Sequence, residues 1–226
     1  MSGLTVYAGV AQGSAEWLEL RRGILTASTV GQLITPSTLK VAGNDMSRAL
    51  VCQLVAERIT GWVQDSYQSF DMVRGALDEP VARGVYGEHY APVTEVGFMV
   101  RHFDGADLGY SPDGLVGDDG LIEIKSRSPK DHLATILADK VPAKHMAQIQ
   151  AGLLVSGRQW LDYISFCGGM PLWVERVQPD QRWVAAIRAA LAGFEATAAK
   201  QIAAYRDAVA GLPTTERTTY DLDMVI

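Results

Sequence analysis

The sequence predicts a mixed α/β (α+β) fold in which a central mixed β-sheet is flanked by helices. Three observations carry this expectation. The apolar residues repeat with a helical period at both ends of the chain, but with a strand period between about residues 98 and 125. The order of segments is helices, three strands, a helix, two strands and a final helix, which suits a sheet with helices packed on it. The chain has 226 residues, 48% of them apolar, enough for one sizeable core and short for two.

Each element has its own signal. Ser14 opens a capping pattern, and Trp17, Leu20 and Ile24 follow at helical spacing. Thr26-Ala27-Ser28 leads into a short apolar period of Val30, Leu33 and Ile34, and Pro36 to Asp45 reads as a loop. A helix starts near Ser47, buries Leu50, Leu54, Val55 and Ile59, and stops at Gly61. Another spans about Asp78 to Tyr90, with Val81, Ala82, Val85 and Tyr86 on its apolar face. Phe98 to Phe103, Leu108 to Ser111 and Leu121 to Lys125 are strands separated by Gly/Asp turns. A helix over about Ala143 to Val155 follows. Leu161 to Phe166 and Leu172 to Val177 are then strands joined through Gly168-Gly169. After Asp180, the residues Trp183, Val184, Ile187, Leu191, Phe194, Ala198, Ile202 and Tyr205 trace a helical stripe, read as core packing, to Val209. Gly211-Leu212-Pro213 ends it. The expected organisation is a single domain over 1–226, with its core at about 14–210 and a C-terminal tail at 211–226 that docks or is poorly ordered.

Bulk properties exclude several classes. Met1 to Gly13 holds no lysine or arginine, unlike the basic start of a signal peptide, and no window nears the roughly 18 apolar residues of a membrane span. The two cysteines, Cys52 and Cys167, have no ligand-like spacing, so neither a disulfide framework nor a zinc site is expected, and a reducing cytoplasm fits. The histidines His89, His102, His132 and His145 also lack the spacing of a zinc pair. Trp17 and Trp160 read as core or interface. A net charge of −6 argues against a protein that coats DNA, but not against a nuclease, whose basic residues can line one inner surface.

The chemistry-bearing region is Gly109-Tyr110-Ser111-Pro112-Asp113-Gly114 followed by Leu121-Ile122-Glu123-Ile124-Lys125-Ser126. Alternation along a strand puts Glu123 and Lys125 on one face, with Ile122 and Ile124 on the other. A hairpin through Gly117-Asp118-Asp119-Gly120 would return the chain so that Asp113 lies beside Glu123. Taken singly, a Glu-x-Lys strand is usually a solvated face and an Asp in Pro-Asp-Gly a turn former. Together they make a hard oxygen site for magnesium or manganese, two carboxylates and a backbone carbonyl, with a lysine to align or deprotonate water and offset negative charge.

Asp113 with Glu123-Ile124-Lys125 resembles the Asp…Glu-x-Lys signature of the PD-(D/E)xK nuclease superfamily, whose core is restriction-endonuclease-like. Four ordered motifs narrow the resemblance: Trp17 to Ser28, Gly75 to Pro80, Ser111 to Leu115, and His145 to Gln150. In this order they are similar to the phage lambda exonuclease (YqaJ-type viral recombinase) family over about residues 14 to 177. The resemblance implies that Asp113, Glu123 and the carbonyl of Ile124 bind metal and that Lys125 acts on the attacking water. It also places Glu79 near a second metal and Gln148 in the active site. Arg21 and Ser28 would hold the 5′-phosphate of the DNA end, chemically apt for a guanidinium fork and a hydroxyl. A further basic residue would meet that phosphate. Lys130 and Arg127 both qualify, and the spacing differs by one from the family's. Met72 stands where the family has an apolar wedge that parts the end base pair, though it also suits a core. The Pro36 to Asp45 loop does not match closely.

Carried over whole, the resemblance implies a magnesium-dependent 5′-to-3′ exonuclease with two ions per site, manganese substituting. It would shorten the 5′-ended strand at duplex DNA ends and leave 3′ overhangs. It implies a ring-shaped homotrimer, a single-strand annealing protein as partner in phage recombination, and a place in the bacterial host's cytoplasm. An endonuclease on the same core is the nearest alternative; a Cas4-like nuclease would need a cysteine cluster, which two isolated cysteines do not supply. A non-catalytic DNA-end binder is the alternative of another class, disfavoured by the intact Asp113, Glu123 and Lys125.

Overall fold

The computed structural model describes residues 3–64 and 69–217. In chain order the elements are β1 (Gly3–Tyr7), α1 (Ala15–Arg21), β2 (Leu25–Thr26), α2 (Ala27–Val30), β3 (Ile34–Thr35), β4 (Lys40–Val41), α3 (Asp45–Thr60) and α4 (Phe70–His89). They continue with β5 (Phe98–Phe103), β6 (Ala106–Tyr110), β7 (Gly114–Val116), β8 (Gly120–Ser126), α5 (Pro129–Ala138), α6 (Met146–Ser156), β9 (Trp160–Phe166), β10 (Trp173–Val177) and α7 (Gln181–Ala208). Short 3-10 turns precede β3 and α6.

The fold is mixed α/β as expected, but the strands form two four-stranded sheets and a small β3–β4 ribbon rather than one central sheet. The first sheet has the order β1-β5-β6-β2, with β2 parallel to β6 and the other pairs antiparallel. The second has the order β10-β9-β8-β7, with β8 parallel to β9 and the hairpin β7–β8 antiparallel.

The main core gathers one face of both sheets with α2, α3, α6 and α7, through residues such as Leu25, Leu54, Leu108, Leu121, Ile149, Leu161 and Ile187. A smaller core lies beyond the second sheet, where Ala82 and Tyr86 of α4 meet Val116, Ile122, Ile124, Ile164 and Phe166. Strand β8 is therefore covered on both faces. Leu121 points to the main core and Ile122 and Ile124 to the smaller one, as a period of two requires.

Local caps set the boundaries. The Asn44 side chain accepts from Ser47 N–H at 2.9 Å to start α3, and Gly61 ends it with φ 66°, a left-handed value that glycine adopts without a Cβ clash. The turn after α1 is held by α3. Gly23 N–H donates to Glu57 at 2.8 Å, and Arg58, paired with Glu195 of α7 through two 2.7 Å contacts, donates to the Gly23 carbonyl. That clamp fixes where Arg21 leaves its helix. A third anchor joins α4 to the second sheet: the Tyr86 hydroxyl donates to Asp162 at 2.6 Å, and Asp162 also accepts twice from Arg176.

Several expectations need correction. Helix α4 begins at Phe70, eight residues before the expected start. Phe70, Val73, Leu77 and Val81 of this helix are exposed, so its first turns show no inward-facing stripe, and Val81 is not on the buried face. Pro80 lies inside the helix instead of near its start. Strands β1 and β7 and helix α5 were not anticipated, and the 36–45 loop contains β4. Met72 is 56% exposed and does not belong to a core. Helix α7 buries Trp183, Ile187, Leu191, Phe194 and Ala198, in line with the packing stripe, which stops short of the exposed Tyr205. Residues 218–226 of the anticipated tail lie outside the described residues. Among the described residues no helix is long and apolar enough to cross a membrane.

Candidate active site

A cleft of about 340 Å³ opens between α1, α2, α4 and the β6–β8 segment. Its lining includes Arg21, Ser28, Glu79, Asp113, Glu123, Ile124, Lys125 and Gln148, residues drawn from six separate elements and turns. Lys130 and Met72 are not among the lining residues. Lys130 is exposed at the start of α5, and Met72 is exposed in the first turn of α4, next to the cleft-lining Asp71.

The floor is the β7–β8 hairpin. Gly114 pairs with Ile122, so Asp113, just before β7, comes back against β8. The Asp113 carboxylate accepts the Ile124 N–H at 2.6 Å. Gly114 tolerates this close return because a Cβ there would lie 2.2 Å from Val93. Glu123 is 1% exposed and is held by three donors. Lys125 Nζ (2.6 Å) and Gln148 Nε2 donate to Oε1, and the Tyr110 hydroxyl donates to Oε2 at 3.3 Å. Gln148 arrives from the first turn of α6, and Tyr110 from the end of β6. The Tyr110 ring passes so close to Gly152 of α6 that a Cβ there would sit 2.7 Å from it.

The electrostatics follow from crowding. Burial first, then the Glu123 and Glu79 carboxylates, raise Asp113 well above the usual carboxylate range, against the opposing pull of Lys125. Burial likewise raises Glu79, while Arg83 draws it down and Glu123 pushes it up. For Lys125 burial favours the neutral amine, but Glu123 and Asp113 outweigh it and lift the group above its ordinary value. Burial raises the Tyr110 phenol well above its ordinary value, with Glu123 and Asp113 adding to it. Asp113 and Glu79, both raised by burial and by neighbouring carboxylates, mark a cleft floor short of positive charge.

The far end of the cleft carries a cation, Arg21, beside the Ser28 hydroxyl. The Arg21 guanidinium lies 3.9 Å from the centre of the Trp17 ring, and burial lowers it to about 10 although Glu57 opposes the shift, so it remains a cation at neutral pH. Trp17 is held in turn by its indole N–H, which donates to Ser111 Oγ at 2.8 Å. Thr26 links Ser28 and Thr29 through its hydroxyl, with 3.1 Å to each. Behind Lys125, Arg127 pairs with His145 Nε2 at 3.1 Å, and burial with Lys125, Arg127 and Lys144 lowers that histidine to about 3. His145 is neutral and accepts from Arg127.

Sequence reasoning missed Tyr110, Trp17 as a cleft residue, and Arg83. Tyr110 precedes Asp113 by three residues, yet an aromatic at a strand end is usually core. Arg83 stands four after Glu79 on a helix, a readable spacing, but its second partner is visible only in three dimensions.

A divalent ion suits the donor set. Among the described residues no three Asp, Glu, His or Cys side chains converge as a ready-made cage. Magnesium does not need one, because it is typically held by one or two carboxylates and retains several waters. Asp113, Glu123 and the Ile124 carbonyl supply that many hard oxygen atoms, and the raised Asp113 carboxyl is the mark of a place where added positive charge is favourable.

Comparison with known proteins identifies the family. An alkaline exonuclease from Laribacter hongkongensis has a similar structure, with a TM-score of 0.78 and 32% identity over 88% of this chain and 100% of the other. The same exonuclease in complex with dAMP gives a TM-score of 0.75 at 32% identity, with the same coverage. A phage related exonuclease from Haemophilus somnus 129PT shares the fold at a TM-score of 0.59 and 13% identity, covering 82% of this chain and 98% of the other. No curated protein sequence matches the chain. The profile of the YqaJ-like viral recombinase domain matches residues 16–159, which span the cleft residues from Arg21 to Gln148. The chain belongs to the YqaJ-like viral recombinase domain family.

Proposed function

We propose that the chain is a single-domain, magnesium-dependent exonuclease that removes the 5′-ended strand from duplex DNA ends, manganese substituting. The observation that carries the reading is the junction of two unlike sites in one cleft: the Asp113, Glu123 and Lys125 floor, and the anion-ready Arg21 and Ser28. Cutting chemistry beside a terminal-phosphate site is what an end-dependent nuclease needs. The similar Laribacter protein is named an alkaline exonuclease and was solved with dAMP, which supports the reaction class.

Asp113, Glu123 and the Ile124 carbonyl would hold one ion, and Glu79 would contribute to a second. A bound ion supplies Lewis-acid polarisation of the scissile phosphate and acidifies water. The protein's own groups do the rest. Lys125, held as an ammonium by its carboxylates, offsets the charge that develops on the phosphate and orients the attacking water. Gln148 and Tyr110 keep Glu123 in place. Arg21 and Ser28 receive the 5′-phosphate. For the additional basic contact we favour Arg127 over Lys130, because Arg127 follows directly after β8, which carries Lys125, and its Nε is buried without a hydrogen-bond partner among the described residues, whereas Lys130 is exposed on α5. Met72, exposed in the first turn of α4, would act as the wedge. A homotrimeric ring, an annealing-protein partner and a role in phage recombination within the host cytoplasm complete the proposal and rest on family membership.

The test is a gel of 5′-phosphorylated linear duplex, each strand labelled separately, with magnesium or with chelator. Loss of the 5′-ended strand from linear DNA, with intact circles spared, is expected. Equal cutting of circles would instead identify an endonuclease.

A further inference from the structure

Arg83 lies one turn after Glu79 on α4, and its side chain is only 15% exposed. Each nitrogen of its guanidinium is engaged. Nε donates to the main-chain carbonyl of Asp113 at 2.8 Å, Nη2 pairs with Glu79 Oε1, and Nη1 pairs with Glu95 at 2.8 Å. A helix-surface pair at this spacing is common and would explain the Glu79 contact alone. It does not explain a buried arginine whose Nε reaches across to the turn that carries Asp113.

That contact, distant in sequence, helps to fix Asp113 from two sides. Arg83 holds its carbonyl, and the Ile124 N–H holds its carboxylate at 2.6 Å. The same guanidinium takes one oxygen of Glu79 and leaves the other free to point into the cleft that Glu79, Asp113 and Glu123 line together. The planar fork is what permits this, since it donates along fixed, separate directions where an ammonium offers a single point. Nε and both Nη atoms of Arg83 are each already engaged by a protein oxygen.

We propose that Arg83 is a positioning residue for the second divalent ion, locking the Glu79 carboxylate and the Asp113 turn into one frame. The inference rests on the two-ion reading given above. Partners that orient a ligating carboxylate typically contribute about 10- to 100-fold in metal affinity.

Manganese binding to the intact protein tests this without reference to turnover, counted by the loss of the free-ion paramagnetic resonance signal. The titration is run with a phosphorothioate-ended duplex that resists hydrolysis. Wild type is expected to take two ions, and Glu79→Ala to lose one. Arg83→Ala should weaken that same ion about 10- to 100-fold and leave the other unchanged, with partial recovery in Arg83→Lys. Unchanged binding of both ions in Arg83→Ala, or equal weakening of both, would overturn the assignment. If Arg83→Ala does not fold, Arg83→Lys decides alone, and wild-type affinity for both ions in it overturns the role. Wild-type protein that binds no manganese would refute the metal reading itself, a result distinct from two ions that ignore Arg83.

Discussion

Asp113→Asn should stabilise the metal-free protein while destroying its response to magnesium. Glu123 accepts hydrogen bonds from the Lys125 ammonium and two further donors, whereas the only donor to the Asp113 carboxylate among the described residues is the neutral Ile124 N–H, and the pull of Lys125 does not offset its burial. Asp113 is therefore the under-compensated charge of the pair. An asparagine oxygen still accepts from Ile124 N–H, and its amide can donate toward Glu123, so the turn survives the change. Single stabilising substitutions, charge optimisation among them, commonly give about 0.5–2 kcal/mol. For a domain of this size that is a rise in Tm of about 1–8 °C.

Because burial and Glu123 raise the folded Asp113 carboxyl, the folded state binds more protons than the unfolded state above the ordinary value of 3.8. Metal-free wild type should then lose stability as pH climbs from that value through the raised one, and Asp113→Asn should flatten the slope. Magnesium at 100 times its Kd should add about 2.7 kcal/mol to wild type and little to the variant, reversing their order. Glu123→Gln makes the opposite prediction, destabilising the metal-free protein because it strands the Lys125 ammonium. Scanning calorimetry in chelator and in magnesium reads all of this. An Asp113→Asn protein that melts below wild type in chelator, or that gains as much from magnesium, would refute the reasoning.

Lys125→Ala should lower strand removal by about 10²- to 10⁴-fold while duplex binding, followed by fluorescence anisotropy, persists. Arg21→Ala should slow digestion of 5′-phosphorylated ends by about 10- to 100-fold, the value of a hydrogen bond to a charged group, and barely affect 5′-hydroxyl ends. Equal loss on both ends would argue against phosphate recognition. Gly152→Ala places a Cβ 2.7 Å from the Tyr110 ring, so it should cost about 1–3 kcal/mol of stability in urea melts. It should also reduce turnover, because Tyr110 is displaced against Glu123.

Elements that bury an alternating or helical stripe were legible in the sequence, and those that do not were missed. Strand β5 has the expected ends, and α3 stops at Gly61 as expected and starts two residues before Ser47, because burial pattern and the glycine stop agree there. Helix α5 escaped notice although Ser128 caps it and Pro129 opens it. Its large apolar residues Leu133 and Leu137 face outward, so no inward stripe marks it. The first turns of α4 failed for the same reason, and Pro80 imitated a helix start. Strand β1 is short and largely exposed, held mainly by its pairing with β5, a long-range fact no local window contains. In the cleft, the Asp113 to Lys125 hairpin could be built from strand alternation alone. Convergence of Arg21, Glu79 and Gln148 on it could not, since their distances in sequence carry no distance in space. For those residues it was the family resemblance that placed them together.

The parallel pairing of β8 with β9 has a consequence for the timing of synthesis. Glu123 sits opposite Tyr163, and a parallel neighbour can be supplied only by a crossover, here α5 and α6. Until residue 166 has been made and has cleared the ribosome, the strand carrying Glu123 and Lys125 has only the three-residue β7 beside it. Gln148 likewise waits for α6. A chain that stops short of β9 therefore lacks the frame of the cleft floor even though every carboxylate of that floor is already present in it. Connectivity makes the floor a late product of synthesis: its acidic residues come first, and the strand and helix that hold them come after.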